Sequence, residues 1–316
     1  MDRLRSTMHP APQPIAPRGF VTIATGAPKY YEMAQRLLHS YRLNGNCSLP
    51  FALICDKDCD IAREFDHVVV LPDPHYSFLD KLSLCDSTPY QETIFIDADS
   101  LILKDMNPLW DDYADEEDFS CYGCKLPLES RDGWFYYEGM GKLQPLLKYN
   151  VSLHGGMYYL RKTPRCQAIF HRAIELVDEY QDYSFYYFSK PADEPVLALS
   201  MALNNGQPCS KPSRVVFYNT HKEKIRTSVS GTLHLHGKIC DPHILHFGAR
   251  NIPRFLYQYQ SALIEKKLQN SAFQPNILVY LTIWLKCLPI EFKYRSKKLL
   301  KRILPSKVIS FLKKAF

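Results

Sequence analysis

The sequence predicts an α/β fold in which helices flank a Rossmann-like, mostly parallel central sheet. Four short apolar segments typical of buried strands recur in the first hundred residues, as GFVTIAT, PFALICD, HVVVLPD and ETIFIDAD. Segments with helical spacing separate the first strand from the second and the third from the fourth. This alternation favours parallel pairing, because a chain that returns to form a parallel strand needs a crossover connection.

The elements are expected in a definite order. The first strand, 19–25, leads through a loop, 26–31, into a helix that has Gly45 as its C-cap. After the second and third strands, SFLDKLSLCDST is typical of a helix that precedes the fourth strand. HGGMYYLRKTP predicts a further strand, and two helices follow it, one begun by Pro164 and one ended by Gly206.

The two ends of the chain differ from its centre. Residues 1–18 contain four prolines and no periodicity, which predicts a disordered lead-in. We expect a main domain over 19–256 and a helical region over 257–316. The opening lacks the apolar stretch of a secretory signal, and ten scattered cysteines favour free thiols in a reducing cytosol. Cys121 and Cys124 form a CxxC pair, but no second pair at zinc spacing supports a metal or redox role.

Positive charge is concentrated near the C-terminus. The chain carries +6, yet residues 286–316 alone carry +9, and their basic pairs alternate with apolar clusters. Leu299, Leu300, Ile303 and Leu304 share one helical face, which is typical of a helix that lies on an anionic membrane surface. We therefore expect a cytoplasmic protein that is peripheral on the membrane and has no nucleic-acid partner. A helix that packs on its own domain and a nucleic-acid tail are the alternatives.

Two aspartates end the fourth predicted strand. Asp97 and Asp99 point to the same side of extended backbone, whereas Ala98 points away. Ligands of open parallel sheets bind beyond the carboxyl ends of the strands. Two neighbouring carboxylates repel each other unless a cation neutralises them, and hard oxygen ligands favour Mg²⁺ or Mn²⁺. The alternative is a solvated turn in which Asp99 or Ser100 caps the backbone.

Other segments carry further candidate ligands. TGAPKYYEMA lacks the glycine patterns of dinucleotide and triphosphate loops, so Tyr30 or Tyr31 either stacks on a base or packs at the helix entry. Asp193 and Glu194 either complement a helix dipole or accept hydrogen bonds from sugar hydroxyls. His246 ends a predicted strand before a glycine turn and could join the two carboxylates, although surface placement is the ordinary position for such a histidine.

The order of these segments resembles glycosyltransferase family 8, which includes glycogenin-like and bacterial galactosyltransferase-like enzymes. The resemblance covers about 19–250 and rests on the first strand, Lys81, FIDADSLILKDMNPLW, HGGMYYL, DEPVLAL and HFGAR. It implies the A-type glycosyltransferase fold over a nucleotide-sugar transferase catalytic domain, 19–256, with a C-terminal helical extension. It also implies a UDP-sugar donor and a bound Mn²⁺ or Mg²⁺.

The resemblance further implies roles for individual residues. The metal ligands would be Asp97, Asp99 and His246, and the catalytic residues would be Asp193 and Glu194. The donor-binding positions, in chain order, would be Ala24, Thr25 and Tyr30 beside the uracil, Lys81, Asp97, Ala98 near the ribose, Asp99, His154, Gly155 and Gly156 near the sugar, and Gly248 and Arg250 beside the diphosphate.

Some positions depart from the family pattern. His154 replaces Asn, Glu194 replaces Gln, and HFGARNIP is one residue shorter than the usual late motif, so sugar specificity does not carry over. The expected activity is metal-dependent transfer of a hexose from a UDP-sugar to a hydroxyl of a glycan or glycolipid, with retention. An inverting A-type transferase and a nucleotidyltransferase are alternatives among enzymes. A catalytically silent nucleotide-sugar-binding or scaffold protein at a membrane is the alternative of another class.

Overall fold

The structure is a computed structural model that describes residues 14–116, 118–221 and 224–303. Its strands are β1 (Ala16–Ala24), β2 (Phe51–Cys55), β3 (His67–Val70), β4 (Tyr90–Ile96), β5 (Ser100–Ile102), β6 (Phe119–Ser120), β7 (Gly123–Leu126), β8 (Asn150–Leu153), β9 (Met157–Arg161), β10 (Val215–Phe217), β11 (Ile225–Thr227), β12 (Leu233–Leu235), β13 (Lys238–Ile239) and β14 (Ile244–His246). Its α-helices are α1 (Pro28–Asn44), α2 (Leu84–Ser87), α3 (Asn107–Asp112), α4 (Pro164–Asp178), α5 (Asp193–Leu203), α6 (Tyr218–His221), α7 (Phe255–Gln269) and α8 (Ile277–Ile303).

The central sheet has six strands in the order β3-β2-β1-β4-β9-β6. The first four strands of the chain pair in parallel, and Phe20 of β1 lies opposite both Phe51 of β2 and Ile94 of β4. The strand predicted over HGGMYYL forms as β9, which runs antiparallel to β4 with Met157 opposite Ile96. The mostly parallel α/β fold is therefore confirmed, and the antiparallel strands on one side are an addition to it.

Helices cover both faces of this sheet, because side chains of each strand point alternately to the two faces. Val21 and Phe95 belong to a buried apolar cluster that includes residues of α4 and α5. Their neighbours Phe20 and Ile94 belong to a second cluster, which includes residues of α1 and α3. The core thus consists of two layers separated by the sheet, and the carboxyl ends of the parallel strands stay free for a site.

Several predicted boundaries are wrong by a few residues. β1 begins at Ala16, which pairs with Tyr90, so 16–18 belong to the sheet, while 1–13 of the predicted lead-in lie outside the described residues. α1 begins at Pro28 rather than after a loop over 26–31, because proline at the first helical turn sacrifices no hydrogen bond. The helix predicted before β4 divides into a 3₁₀ turn, 78–83, and the short α2.

The C-terminal helical extension is confirmed as α7 and α8. α7 packs on α1, where His39 Nδ1 lies 2.7 Å from Glu265 Oε1, and α8 packs on α7. None of the described helices combines the length and the apolar character that crossing a membrane requires. The predicted apolar face of Leu299, Leu300, Ile303 and Leu304 lies outside the residues whose side chains the structure describes.

Candidate active site

Asp97 and Asp99 lie immediately beyond the carboxyl end of β4, as the strand pattern predicts. The Asp97 N–H donates to the Gly156 carbonyl at 3.0 Å, and the Ser100 N–H donates to the Asp97 carbonyl at 3.1 Å. The two carboxylate side chains retain only 19% and 15% of their exposure. The two aspartates therefore form an inward-facing acidic pair, and the alternative of a solvated turn does not describe them.

His246 reaches this pair through a second, smaller sheet in the order β10-β14-β5. β5 directly follows Asp99, and its antiparallel pairing with β14 places His246 opposite Ser100. The Phe247 N–H donates to the Asp99 carbonyl at 3.0 Å. As a result, His246 Nε2 lies 2.9 Å from Asp99 Oδ1 and 3.6 Å from Asp97 Oδ2. Three polar side chains from distant parts of the sequence thus converge.

The two glycines before β9 leave room for this convergence. A Cβ on Gly156 would come closer than 3.0 Å to His246 Nδ1, a separation that real Cβ atoms essentially never show. It would also touch Phe217. A Cβ on Gly155 would lie 2.6 Å from Glu194 Cγ, and the Gly155 N–H donates to Glu194 Oε1 at 2.7 Å. The space beside these glycines is therefore occupied, at least in part, by the side chains of His246 and Glu194.

We expect Gly156→Ala to displace the His246 ring and weaken Mn²⁺ binding by at least about tenfold, with a loss of about 1–3 kcal/mol in the free energy of unfolding. Isothermal titration with Mn²⁺ and urea unfolding measure the two effects. The same substitution in a His246→Ala background is the control, since that background has already lost the imidazole. Equal effects on metal affinity in both backgrounds would show that Gly156 does not act through His246.

Lys81 is an ion-paired ammonium in the interior of the site. Its Nζ lies 2.9 Å from Asp97 Oδ1 and 3.1 Å from Asp193 Oδ2, and it donates to the Gly155 carbonyl at 3.0 Å. Burial alone would lower the pKa of Lys81, but Asp193 and Asp97 outweigh burial and hold the pKa above its ordinary value. Lys81 therefore stays charged and links the acidic pair to the start of α5.

Burial and neighbouring charges shift the other titrating groups. Burial raises the pKa of Asp97 to about 6, despite the opposing effect of Lys81, and the charge of Asp99 adds to the rise. Burial is the largest single effect on Asp99 and would raise its pKa, but the charge and hydrogen bond of His246 together with the charge of Lys81 outweigh burial and keep the Asp99 pKa below its usual value. Burial and the neighbouring Asp193 raise the pKa of Glu194 to about 7. The site thus holds more acidic groups than its two cationic groups can neutralise.

The donor set fits a divalent cation. Asp97, Asp99 and His246 each offer a ligand atom, and these atoms lie within 4.8 Å of one another. Asp99 Oδ1 is buried and lies 2.9 Å from His246 Nε2, which places a carboxylate oxygen and an imidazole nitrogen side by side. Carboxylate oxygens with an imidazole nitrogen suit Mn²⁺ and also Mg²⁺. These three residues are therefore a candidate metal centre.

Metal affinity at this centre is expected to rise with pH. Asp99 and Asp97 raise the pKa of His246 against the opposing effect of burial, and the Asp97 pKa is about 6. Protons must leave both groups before they can act as ligands, so each displaced proton weakens binding about tenfold per pH unit below its pKa. Titration calorimetry with Mn²⁺ between about pH 5.5 and 8, in buffers of different ionisation enthalpy, measures both affinity and proton release. An affinity that stays constant over this range would contradict the assignment.

The segment proposed for the uracil lies at the carboxyl end of β1. Ala24 is buried, and the Thr25 hydroxyl donates to Asp80 Oδ2 at 2.6 Å. Tyr31 packs at the helix entry and donates to Asp56 Oδ1 at 2.6 Å, whereas Tyr30 is exposed, with the ammonium of Lys29 over its ring. Of the two tyrosines, Tyr30 is therefore the one that an external base can reach.

The remaining positions that the resemblance implies for donor binding are Ala98, His154, Gly248 and Arg250. Ala98 is buried between the two aspartates, and the His154 ring stacks on Phe217 with centroids 3.5 Å apart. Gly248 has a positive φ of 73°, which glycine adopts without strain, and it redirects the chain after His246. Arg250 follows in a 3₁₀ turn and is exposed.

Sequence reasoning missed several residues of the site. Asp56 follows β2 as Asp97 follows β4, and it accepts a hydrogen bond from the Gly26 N–H at 2.9 Å. The strand-end rule that singled out Asp97 could have identified Asp56 as well. The Tyr158 hydroxyl, which donates to Asp193 Oδ2 at 2.7 Å, and the Phe217 ring gave no comparable signal, because ordinary core packing explains such aromatics equally well.

No protein-family model matches the chain, and no curated protein matches it. An active-site mutant of LgtC is similar with a TM-score of 0.54 and 15% identity, over 85% of this chain and 99% of its own. The galactosyltransferase LgtC with donor and acceptor sugar analogues gives a TM-score of 0.51 and 14% identity, over 82% and 98%.

A third solved structure is the bifunctional glycosyltransferase WbbM in its apo form. It gives a TM-score of 0.50 and 11% identity, and the match covers 87% of this chain and 53% of WbbM. Identities this low establish a likeness of fold. Together with the sheet order and the placement of the acidic pair, these structures show that the chain has the A-type glycosyltransferase fold, in a form like that of family 8.

Proposed function

We propose that this chain is a metal-dependent glycosyltransferase that moves a hexose from a UDP-sugar to a hydroxyl of a glycan or glycolipid. The convergence of Asp97, Asp99 and His246 at the end of β4, in a fold shared with glycosyltransferases, carries the proposal. Mn²⁺ or Mg²⁺ bound to these ligands would hold the diphosphate and stabilise negative charge on the departing UDP.

The chain's own residues bind and orient the donor in this proposal. Exposed Arg250 is suited to the diphosphate, since guanidinium groups bind phosphate oxygens through paired hydrogen bonds. Lys81 orients Asp97 through its ion pair. The remaining donor positions are Ala24, Thr25 and Tyr30 at the uracil, Ala98 at the ribose, His154, Gly155 and Gly156 at the sugar, and Gly248 at the diphosphate.

Asp193 and Glu194 are the proposed catalytic residues. The Gly155 N–H fixes the Glu194 carboxylate beside the glycines at which the donor sugar is proposed to sit. When ionised, this carboxylate can stabilise the oxocarbenium-like centre. The acceptor hydroxyl would attack the face from which UDP departs and give its proton to the departing phosphate oxygen, so that the configuration is retained. Asp193, held by Lys81 and Tyr158, positions the start of α5 and offers a second acceptor for hydroxyl groups.

A donor screen tests this function. We expect UDP release from UDP-glucose, UDP-galactose or one of their N-acetyl forms in the presence of Mn²⁺, and loss of that release with excess chelator. UDP release that persists in chelator would contradict the metal assignment. No UDP release from any donor with Mn²⁺, together with nucleotide-sugar binding, would instead favour a silent binding or scaffold protein.

A further inference from the structure

A cavity of about 670 Å³ lies between α8, the start of α7 and β11, and none of the candidate active-site residues lines it. Three arginines line this cavity, namely Arg226, Arg254 and Arg295, and Glu291 is the only acid among the described lining residues. Aromatic side chains form much of the remaining wall, including Tyr218, Tyr280 and Trp284. The cavity therefore has a positive charge balance and apolar walls.

Arg254 lines the cavity and has one guanidinium nitrogen without a hydrogen-bond acceptor. Its Nε and Nη2 donate to the Glu291 carboxylate at 3.1 and 2.9 Å, so that this pair neutralises itself. The guanidinium lies 4.2 Å from the ring centroid of Tyr294 and 5.5 Å from that of Tyr218. Only 9% of Arg254 is exposed, and its Nη1 is buried without a hydrogen-bond partner. An orphaned buried donor of this kind indicates a missing acceptor.

The outer side of α8 carries a stripe of exposed apolar residues. Large side chains along this side of the helix remain 39–73% exposed, namely those of Ile277, Leu278, Leu281, Trp284, Leu285, Leu288 and Phe292. Trp284, Leu288 and Phe292 belong both to this stripe and to the cavity lining. The cationic cavity thus opens beside an apolar surface, and the following residues are strongly basic.

α8 is attached firmly enough to present this surface in one orientation. The Phe255 N–H donates to Glu291 Oε1 at 3.2 Å, so the Arg254–Glu291 pair joins α8 to the first residue of α7. Tyr280 packs against Phe255 and Tyr259 with ring centroids 5.0 and 5.1 Å apart. These contacts hold the apolar stripe and the three arginines in a fixed relation.

We propose that this cavity binds the phosphate of an anionic phospholipid headgroup, while the exposed apolar residues of α8 enter the interface of the same leaflet. Phosphate oxygens would satisfy Arg254 Nη1 and contact Arg226 and Arg295, which are exposed and carry the cavity's excess positive charge. The apolar stripe would be buried at the depth where acyl chains meet headgroups. Membrane attachment is then site-specific, in addition to the diffuse attraction of the basic C-terminal residues, and it does not depend on transferase activity.

Paired charge removals test the proposal. The full chain is mixed with phosphatidylcholine vesicles that contain about one third phosphatidylglycerol, and bound protein is measured by flotation. Arg226→Gln with Arg295→Gln removes two exposed cations that line the cavity. Lys224→Gln with Lys293→Gln removes two exposed cations from the same elements or their immediate flanks, outside the lining. We expect the arginine pair to bind at least about tenfold more weakly than the lysine pair, because diffuse attraction is lost equally in both.

If both variants bind the vesicles equally weakly, diffuse charge explains the effect and the proposal is overturned. Failure of the unmodified chain to bind these vesicles would also overturn it. A second measurement separates a lipid from a free phosphate. Trp284 lines the cavity, so its fluorescence reports occupancy, with Trp284→Phe to assign the signal. The proposal would also be overturned if soluble glycerol phosphate bound as tightly as vesicle lipid at equal phosphate concentration. That result would show a site for soluble phosphates.

Discussion

Asp99→Asn is expected to lower Mn²⁺-dependent UDP release at least about 1000-fold, which corresponds to roughly 4 kcal/mol of transition-state stabilisation. Asparagine keeps the size of the side chain but removes the negative charge, so a divalent cation loses a charged ligand. This position is sensitive because Asp99 Oδ1 lies among the candidate ligand atoms, 2.9 Å from His246 Nε2. Asp97→Asn should have a similar effect. Initial rates and Mn²⁺ titrations of the same preparations measure both consequences.

A matched substitution separates this effect from a general loss of acidic charge. Asp60→Asn changes a fully exposed aspartate on the surface, and we expect it to leave both rate and metal affinity unchanged. Thermal melting of each variant establishes that it is folded. The metal assignment fails if Asp99→Asn retains more than about a tenth of the original rate while Mn²⁺ still accelerates it.

Lys81→Met should destabilise the protein by about 3–5 kcal/mol in the free energy of unfolding at pH 8. The substitution keeps the length of the buried side chain but leaves Asp97 and Asp193 facing each other without their shared cation. The pKa of Asp97, already about 6 because of burial, should rise further. When the pKa of Asp97 is higher in the folded than in the unfolded state, deprotonation favours unfolding. The loss of unfolding free energy should therefore grow as pH rises from about 4 to 8. Urea unfolding across this range measures it.

Two comparisons make the Lys81 result specific. Mn²⁺ supplies positive charge beside Asp97, so the penalty should be smaller at saturating Mn²⁺. Lys162→Met is the matched control, because Lys162 Nζ is also buried but has no hydrogen-bond partner, and its loss should cost little or stabilise the fold. Equal destabilisation by the two substitutions would show that packing of the methylene chain, and not the ion pairs, accounts for the effect of Lys81.

The sequence predicts those parts of the site that depend on local order. Asp97 and Asp99 could be placed together because alternation along one strand decides where their side chains point. His246 could not be placed by such reasoning, since its position depends on the pairing of two three-residue strands that lie far apart in the sequence. From the residues alone, a structural or surface position is the favoured interpretation for His246, and only the family resemblance links it to the two aspartates.

Lys81 shows a different limit of prediction. The resemblance implies that Lys81 touches the donor, which stays a prediction, and the structure adds its contacts with Asp97, Asp193 and the Gly155 carbonyl. A residue pattern identifies a cation near the site but not how many carboxylates compete for it. The helix entry at Pro28 was missed for a similar reason, because a glycine-proline stretch is as typical of a loop as of a helix start.

The pairing of β5 with β14 has a consequence for synthesis of the protein. On the ribosome, the acidic pair emerges long before the histidine that completes the ligand set, and the sheet strands around it can form in the meantime. A nascent chain therefore carries an incomplete ligand set until His246 has left the exit tunnel. Chains truncated before His246 would lack the third ligand of the candidate metal centre.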